Sequence, residues 1–428
     1  MSKLQRLIGD VEINRDLVLL LVIGGMYALS IALSNTFVNV YLWKQSGGNF
    51  FDLGVYNLSI VITQPITFIL AGRMAKKIDR VIVFRLGVIF LAVFFLTVLM
   101  IGDSAAKFLP VIGGTLGIGY GFYWLAFNVL TFEITEPETR DFFNGFLGIL
   151  TSIAGMIGPI IAGFVISRLK NFTGYTVIFT ISLILFFAAV VVSFFLKRRK
   201  AEGQYLFKRI VKERKNNRNW SFITTAHFFQ GVREGTFAFV ISVYVFITTN
   251  SELALGTFSL VNSSVAFVSY YLATRLIKKD MRKKAVLFGG VLLYISTFLL
   301  FFDLTYVKLL TYAVLIGVGY PILLVPYSSL TYDVIGRSWN AAQARIEYIV
   351  VRELFLNVGR FFSIVCFIIA VSFFNEKVSM PILLSTVGIG HAVIYLYIRK
   401  INLQSDHEHI DEGEQEQMTK AKLADSEG

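Results

Sequence analysis

The chain has 428 residues, of which 55% are hydrophobic and only 16% are charged. A soluble domain carries about 25% charged residues, and too few polar residues are present to cover this much apolar sequence with a water-facing surface. The composition therefore excludes a soluble enzyme and indicates a membrane protein. The net charge of +12 suggests a nucleic-acid-binding protein, unless the basic residues serve membrane orientation.

Apolar segments of about 20 residues, enough to cross a hydrocarbon core of about 30 Å, recur along the chain. They predict an all-α membrane protein with twelve transmembrane helices, at residues 17–43, 52–72, 83–102, 108–134, 144–167, 175–196, 220–247, 255–277, 285–302, 308–334, 345–373 and 380–398. A basic cytoplasmic linker, 197–219, separates a first six-helix bundle, 1–196, from a second, 220–398. The polar, acidic segment 399–428 is predicted to be a disordered cytoplasmic tail.

The basic residues lie mostly on one side of this arrangement. They concentrate before the first helix, in the loops after the second and eighth helices, in the linker and in the tail. Because Lys and Arg favour cytoplasmic loops, both termini are predicted to be cytoplasmic in a multi-pass protein of the cell membrane. Orientation and attraction to membrane lipids then explain the positive charge, and no nucleic-acid partner is expected.

The two halves of the chain resemble each other. Residues 53–58 (LGVYNL) match 255–260 (LGTFSL), and residues 117–120 (GIGY) match 317–320 (GVGY) at nearly the same spacing. Shared hydrophobicity alone would not align glycine and tyrosine in this way. The matches predict a duplication that produces two pseudo-symmetric bundles around a central site.

The loop after the second helix carries the first family motif. Major facilitator superfamily transporters have the pattern G-x-x-x-D-R-x-G-R-K there, and this loop resembles it in Gly72 and in the basic residues that follow. The resemblance to this family extends over nearly the whole chain. Lys76 stands where the family has an acid, which would alter the usual contact between the two bundles. The basic residues of this loop could instead serve only to set topology.

A second resemblance lies at the inner ends of the fourth and tenth helices. Glu133 and Arg140 have the E-x6-R spacing of the family, and Asp333 occupies the position equivalent to Glu133. By repeat symmetry we predict the inner-gate pairs Arg73–Glu133 and Arg275–Asp333, which the resemblance implies would help hold one access state. The alternative is that both acids lie among lipid headgroups.

The fifth helix carries a third resemblance, to the antiporter branch of the same family. That branch has the pattern G-x8-G-x3-G-P-x2-G-G, and the corresponding residues are Gly145, Ala154, Gly158, Pro159, Ala162 and Gly163. Small residues allow helices to approach closely, and proline adds a kink. The resemblance implies export by exchange, whereas generic helix packing is the alternative.

Ionisable residues inside predicted spans are expensive and need a function or a partner. Glu234 and Glu353 are predicted to carry protons. Arg233, Arg352 and Arg360 would neutralise these acids or hold an anionic group of the substrate. A closed structural network of ion pairs within the second bundle is the alternative.

The first bundle supplies neutral polar and aromatic candidates for a substrate cavity. In the family, the first, fourth, seventh and tenth helices surround the central cavity, and the matching residues are Asn35, Asn39, Tyr120, Tyr123, Trp124 and Asn128. This wall would suit an amphiphilic or aromatic solute with one charged end. Aromatic residues at such spacing could also be packing alone.

These observations predict a monomeric secondary active transporter that exports a small amphiphilic solute in exchange for protons. Its partners would be membrane lipids, protons and an unknown small molecule, with no cofactor, no metal and no enzymatic activity. Two alternatives remain open, a flippase for a lipid-linked molecule and a non-transporting membrane partner or sensor. The lysine at position 76 motivates the sensor hypothesis.

Overall fold

The computed structural model describes residues 14–134, 137–198, 203–301 and 303–403. In this part the chain is almost entirely helical. The first bundle contains α1 (Arg15–Gln45), α2 (Phe50–Lys77), α3 (Arg80–Ile101), α4 (Leu109–Ile134), α5 (Pro137–Arg168) and α6 (Thr173–Ser193). A short linker helix, α7 (Phe207–Glu213), is followed by α8 (Arg218–Thr249), α9 (Glu252–Leu276), α10 (Arg282–Ser296), α11 (Tyr306–Gly336), α12 (Arg345–Phe373), α13 (Glu376–Gly388) and α14 (Gly390–Ile398).

The described residues contain 11 helical segments that are long and apolar enough to cross a membrane. They are the predicted spans except the fourth, and α13 and α14 together form the last one. The fourth span, α4, has 26 residues with Glu133 as its single charged residue. An α-helix rises 1.5 Å per residue, so α4 also exceeds the thickness of the hydrocarbon core. The prediction of an all-α protein with twelve spans is confirmed.

Short polar residues fix the starts of several helices. Asn14 precedes α1 and accepts a hydrogen bond from Leu17 N at 2.8 Å, and Asn217 precedes α8 and accepts one from Trp220 N at 2.8 Å. Each bond satisfies a backbone donor that has no partner inside its helix. The first helix of each bundle therefore begins with the same type of cap.

The packing of the two bundles follows the predicted duplication. In the first bundle α1 packs against α5 and α6, while α4 packs against α2 and α3. In the second bundle α8 packs against α12 and α14, while α11 packs against α9 and α10. The bundles meet mainly along two helix pairs, α5 with α9 and α2 with α12, and α1 also contacts α8. The helices α1, α4, α8 and α11 are thus equivalent in pairs.

The small residues of α5 allow two close helix contacts. A Cβ atom at Gly158 would lie 2.8 Å from the Cβ of Ala32 in α1, and one at Gly163 would lie 2.5 Å from the carbonyl oxygen of Glu252 in α9. Ala154 and Ala162 are buried. Gly145 belongs to α5, but its surroundings lie outside the described part of the structure. The motif therefore brings α5 against both α1 and the other bundle.

The last span differs from the prediction of one continuous helix. It is interrupted between α13 and α14, at a site flanked by Gly388 and Gly390. A Cβ atom at Gly390 would lie 2.4 Å from the carbonyl oxygen of Phe229 in α8. Glycine pairs permit such breaks, and this break brings the start of α14 against the middle of α8.

The linker and the tail are described only in part. The linker predicted at 197–219 contains α7, and α8 already begins at Arg218. Most of the predicted tail, from residue 404 onward, lies outside the described residues. We call the end of the molecule that carries the linker the linker face, and the other end the opposite face.

Candidate functional site

A cavity of about 630 Å³ lies between the two bundles, near the middle of the spans. Its first-bundle wall is polar and uncharged. Asn57 donates a hydrogen bond to the Oδ1 of Asn39 at 3.2 Å, and the hydroxyl of Tyr120 donates one to the Oδ1 of Asn35 at 3.4 Å. Trp124 completes the aromatic part of this wall. Four of the predicted cavity residues, Asn35, Asn39, Tyr120 and Trp124, therefore line the cavity.

Two predicted cavity residues, Tyr123 and Asn128, do not line it. Tyr123 is 1% exposed and its ring stacks on that of Tyr27 at a centroid distance of 4.2 Å. Its position on α4 faces α3, where a Cβ atom at Gly87 would lie 2.4 Å from Tyr123 N. Asn128 lies one helical turn beyond Trp124, nearer the linker face. For Tyr123, the packing interpretation is correct.

The second-bundle wall carries the charged residues of the cavity. The Oε2 of Glu234 in α8 lies 2.7 Å from an Nη2 of Arg360 in α12. Its Oε1 accepts hydrogen bonds from the hydroxyl of Tyr320 at 3.0 Å and from the side-chain amide of Gln230 at 2.8 Å. A carboxylate at membrane depth requires such partners. The Glu234 carboxylate thus links α8, α11 and α12 at the cavity surface.

Arg233 lies beside this network but outside it. Its guanidinium lies 4.6 Å from the centre of the Phe237 ring, and one of its nitrogens is 3.5 Å from the hydroxyl of Tyr312. Its Nε is buried without a hydrogen-bond partner, and no carboxylate pairs with it among the described residues. Because Arg360 is neutralised by Glu234, the cavity wall carries one uncompensated positive charge, that of Arg233.

His391 is a further ionisable group next to the cavity. It is fully buried at the start of α14, and neither ring nitrogen has a hydrogen-bond partner in the part of the chain that the structure describes. Its ring centre lies 5.9 Å from that of Tyr320, the residue that bonds Glu234. The sequence interpretation missed His391, although an ionisable residue within an apolar span is itself a signal.

Arg352 and Glu353 do not belong to the cavity. They pair with each other at 2.5 Å on α12. Glu353 lies seven residues before Arg360, so about 10 Å of helix separates them. Glu353 is therefore placed outside the cavity that Glu234 faces, and its role as a proton carrier stays a prediction.

The ion pairs near the linker face involve other arginines than predicted. Glu133 pairs with Arg80, and Asp333 pairs with Arg282 at 2.7 Å. The predicted partners Arg73 and Arg275 are exposed near the ends of α2 and α9. Arg80 and Arg282 are instead the first residues of α3 and α10. Because these helices pack along α4 and α11, the two arginines lie close to the acids. The predicted pairs are wrong by the same shift in both bundles. The side chain of Arg140 lies outside the described part of the structure.

Among the described residues, one Lys–Glu pair connects the bundles on each face of the molecule. On the linker face, the Nζ of Lys76 in α2 lies 3.1 Å from the Oε1 of Glu347 in α12. On the opposite face, the Nζ of Lys44 in α1 lies 3.0 Å from the Oε1 of Glu252 in α9. Tyr175 also donates a hydrogen bond to Glu252 at 2.9 Å. The cavity therefore lies between two inter-bundle ion pairs.

Comparisons with known proteins agree with this architecture. The chain is 62% identical over 426 residues to the uncharacterized protein YqgE of Bacillus subtilis strain 168, with 99% of each chain covered. A solved D-xylose-proton symporter is similar in structure with a TM-score of 0.67 at 13% identity, covering 90% of this chain and 97% of that one. The nucleoside transporter NupG gives a TM-score of 0.66 at 13% identity, covering 90% and 99%. The family model of the Major Facilitator Superfamily matches residues 20–364, and the chain belongs to that superfamily.

Proposed function

We propose that this secondary transporter exports a small amphiphilic solute from the cell in exchange for protons. The basic linker face would be cytoplasmic, as the distribution of Lys and Arg favours. The single observation that carries the proposal is the Glu234 carboxylate, which faces a cavity between two bundles and is bonded by Arg360, Tyr320 and Gln230.

Alternating access requires that the cavity open to one side at a time. The pairs Lys76–Glu347 and Lys44–Glu252 connect the bundles on the two faces, so opening either face would separate one of these pairs. Both pairs are formed in this structure. The proposal is therefore that each pair biases one access state, by an amount comparable with the few kcal/mol that separate such states.

Protonation of Glu234 would couple this motion to a proton gradient. A proton on the carboxylate removes its ion pair with Arg360 and leaves the guanidinium free to find other partners. Solute bound to the ionised network and released on protonation would give exchange. The amide and aromatic groups of the first-bundle wall would contact the apolar and polar parts of the solute.

The test uses the purified protein in proteoliposomes with an imposed acidic interior. Uptake of ethidium, a cationic amphiphile, and of anilinonaphthalenesulfonate, an anionic one, is followed by fluorescence. We expect the gradient to drive accumulation of at least one dye by the native protein and not by Glu234→Gln. Asp280→Asn, which removes an exposed acid far from the cavity, serves as the matched control and should behave as the native protein.

A second experiment makes this test independent of the chosen dyes. A library of amphiphilic compounds is screened for those that raise the melting temperature of the purified protein, since a ligand that binds the folded state stabilises it by mass action. Hits then replace the dyes in the proteoliposomes. Gradient-driven transport by Glu234→Gln at the native rate would show that the proton is not carried by this residue.

A further inference from the structure

A second cavity lies on the outer surface of the second bundle. It has a volume of about 890 Å³ and lies between α9, α10 and α11. Its walls include the exposed apolar side chains of Val268, Leu272 and Phe288. Because these residues belong to membrane spans, they face lipid and not water. We call this cavity the lateral groove. Its volume is within the roughly 300–1,000 Å³ of small-molecule sites.

The lateral groove arises where the two bundles differ in helix packing. In α4, three glycines lie against α2, and Cβ atoms at these positions would approach atoms of α2 within 2.1 to 2.5 Å; they are Gly113, Gly117 and Gly121. The equivalent residues of α11 are Ala313, Gly317 and Pro321. A Cβ atom at Gly317 would remain 3.0 Å from the nearest atoms of α9. The contact between α9 and α11 is therefore looser, and Val318 and Ile322 beyond Gly317 line the groove.

A lysine stands at the linker-face end of the groove. Three consecutive basic residues begin α10, and the first two have partners. Arg282 pairs with Asp333 at 2.7 Å, and Lys283 donates a hydrogen bond to the carbonyl oxygen of Ile401 at 2.7 Å. Lys284 lines the groove, and its ammonium has no ion-pair or hydrogen-bond partner among the described residues. The lateral groove therefore combines apolar walls with an unpaired ammonium group at the membrane surface.

We propose that the lateral groove binds one anionic phospholipid. An acyl chain would lie along Val268, Leu272 and Phe288, and the phosphate would contact Lys284. The apolar walls explain the acyl chain, and the free ammonium explains the preference for an anionic headgroup, because basic residues near a membrane surface attract anionic lipids. This site lies outside the cavity between the bundles and does not depend on the transport mechanism.

The test is native mass spectrometry of the purified protein with dioleoylphosphatidylglycerol and dioleoylphosphatidylcholine. We expect tighter binding of the anionic lipid. Lys284→Gln should weaken its binding about fivefold, the factor that corresponds to about 1 kcal/mol per basic residue, and should leave the zwitterionic lipid unchanged. Val268→Trp fills the groove at an exposed position and should weaken the binding of both lipids.

Two matched variants control for charge and size. Lys279→Gln removes a lysine just before α10 that does not line the groove, and Ile295→Trp enlarges an exposed residue of α10 outside it. Both should bind the lipids as the native protein does. Equal affinity for the two lipids, or an equal loss in Lys279→Gln, would overturn the proposal. A dimer in light-scattering measurements that Val268→Trp dissociates would also overturn it, because a second copy would then cover the groove.

Discussion

Lys76 and Glu347 form a buried ion pair that joins the two bundles on the linker face, with 3.1 Å between Nζ and Oε1. The Nζ of Lys76 also donates to the carbonyl oxygen of Gln343 at 2.5 Å, and Glu347 accepts from the backbone nitrogen of Leu206 in the linker. The family pattern has an acid where Lys76 stands. A contact between the bundles is present all the same, with the basic partner on α2 and the acidic partner on α12, which removes the motive for the sensor hypothesis.

This pair predicts a charge-swap rescue. Lys76→Glu and Glu347→Lys each leave two like charges buried together, and breaking a buried pair destabilises by about 3–5 kcal/mol. The double variant restores opposite charges and should recover part of the native melting temperature, but not all of it, because the Gln343 carbonyl would then face a carboxylate and the Leu206 N–H an ammonium. Thermal unfolding in detergent measures all four proteins as a double-mutant cycle. Additive losses in the double variant would mean that the two side chains do not stabilise each other.

The pair on the opposite face predicts a change in access. Glu252→Gln removes the carboxylate that pairs with Lys44 and accepts a hydrogen bond from Tyr175. A partly exposed ion pair contributes about 1 kcal/mol, so its loss shifts the ratio of the two access states about fivefold. A cysteine at Ile241 in the cavity, in a Cys366→Ala background, reports the opening of that face through its rate of labelling by an impermeant maleimide in whole cells. We expect faster labelling with Glu252→Gln. Lys308→Gln, a change near the same face in a lysine that makes no ion pair between the bundles, is the control, and an equal rate in both would contradict the prediction.

The twelve spans and the two bundles can be predicted because lipid imposes the same rule on every segment. A spanning segment must satisfy its backbone within a helix and present apolar side chains outward, so hydropathy alone locates it. The duplication can also be predicted from the sequence, because residues 117–120 and 317–320 share glycine and tyrosine as well as apolar residues.

The partners of the ionisable residues are harder to predict. The sequence identifies Glu133 and Asp333 as paired acids, but the choice between Arg73 and Arg80 depends on how α3 packs along α4. Glu353 illustrates the same limit, because the depth of a residue in the membrane depends on where its helix begins. His391 could have been found, since an ionisable residue in an apolar span always needs an explanation.

The corrected pairing near the linker face gives a third prediction. Arg80→Gln should lower the melting temperature, because it removes the ion pair between Glu133 and the first residue of α3. Arg73→Gln changes an exposed side chain and should leave the melting temperature within experimental error. The expected difference is about 1 kcal/mol, because the pair is partly exposed. A larger loss in Arg73→Gln than in Arg80→Gln would contradict the pairing of Arg80 with Glu133.

The two cavity arginines should respond in opposite ways to the same substitution. Arg360→Met removes the cation that pairs with the Glu234 carboxylate at membrane depth, where an unpaired charge is costly, and should lower the melting temperature. Arg233 has no carboxylate partner among the described residues, so Arg233→Met removes a buried, uncompensated charge and should keep or raise the melting temperature. A substitution that stabilises a functional site often lowers the activity of the protein. We therefore expect Arg233→Met to be stable in thermal unfolding but inactive in proteoliposomes. A strongly destabilised Arg233→Met protein would show instead that this guanidinium has a structural partner, and full transport would show that the cavity does not need its charge.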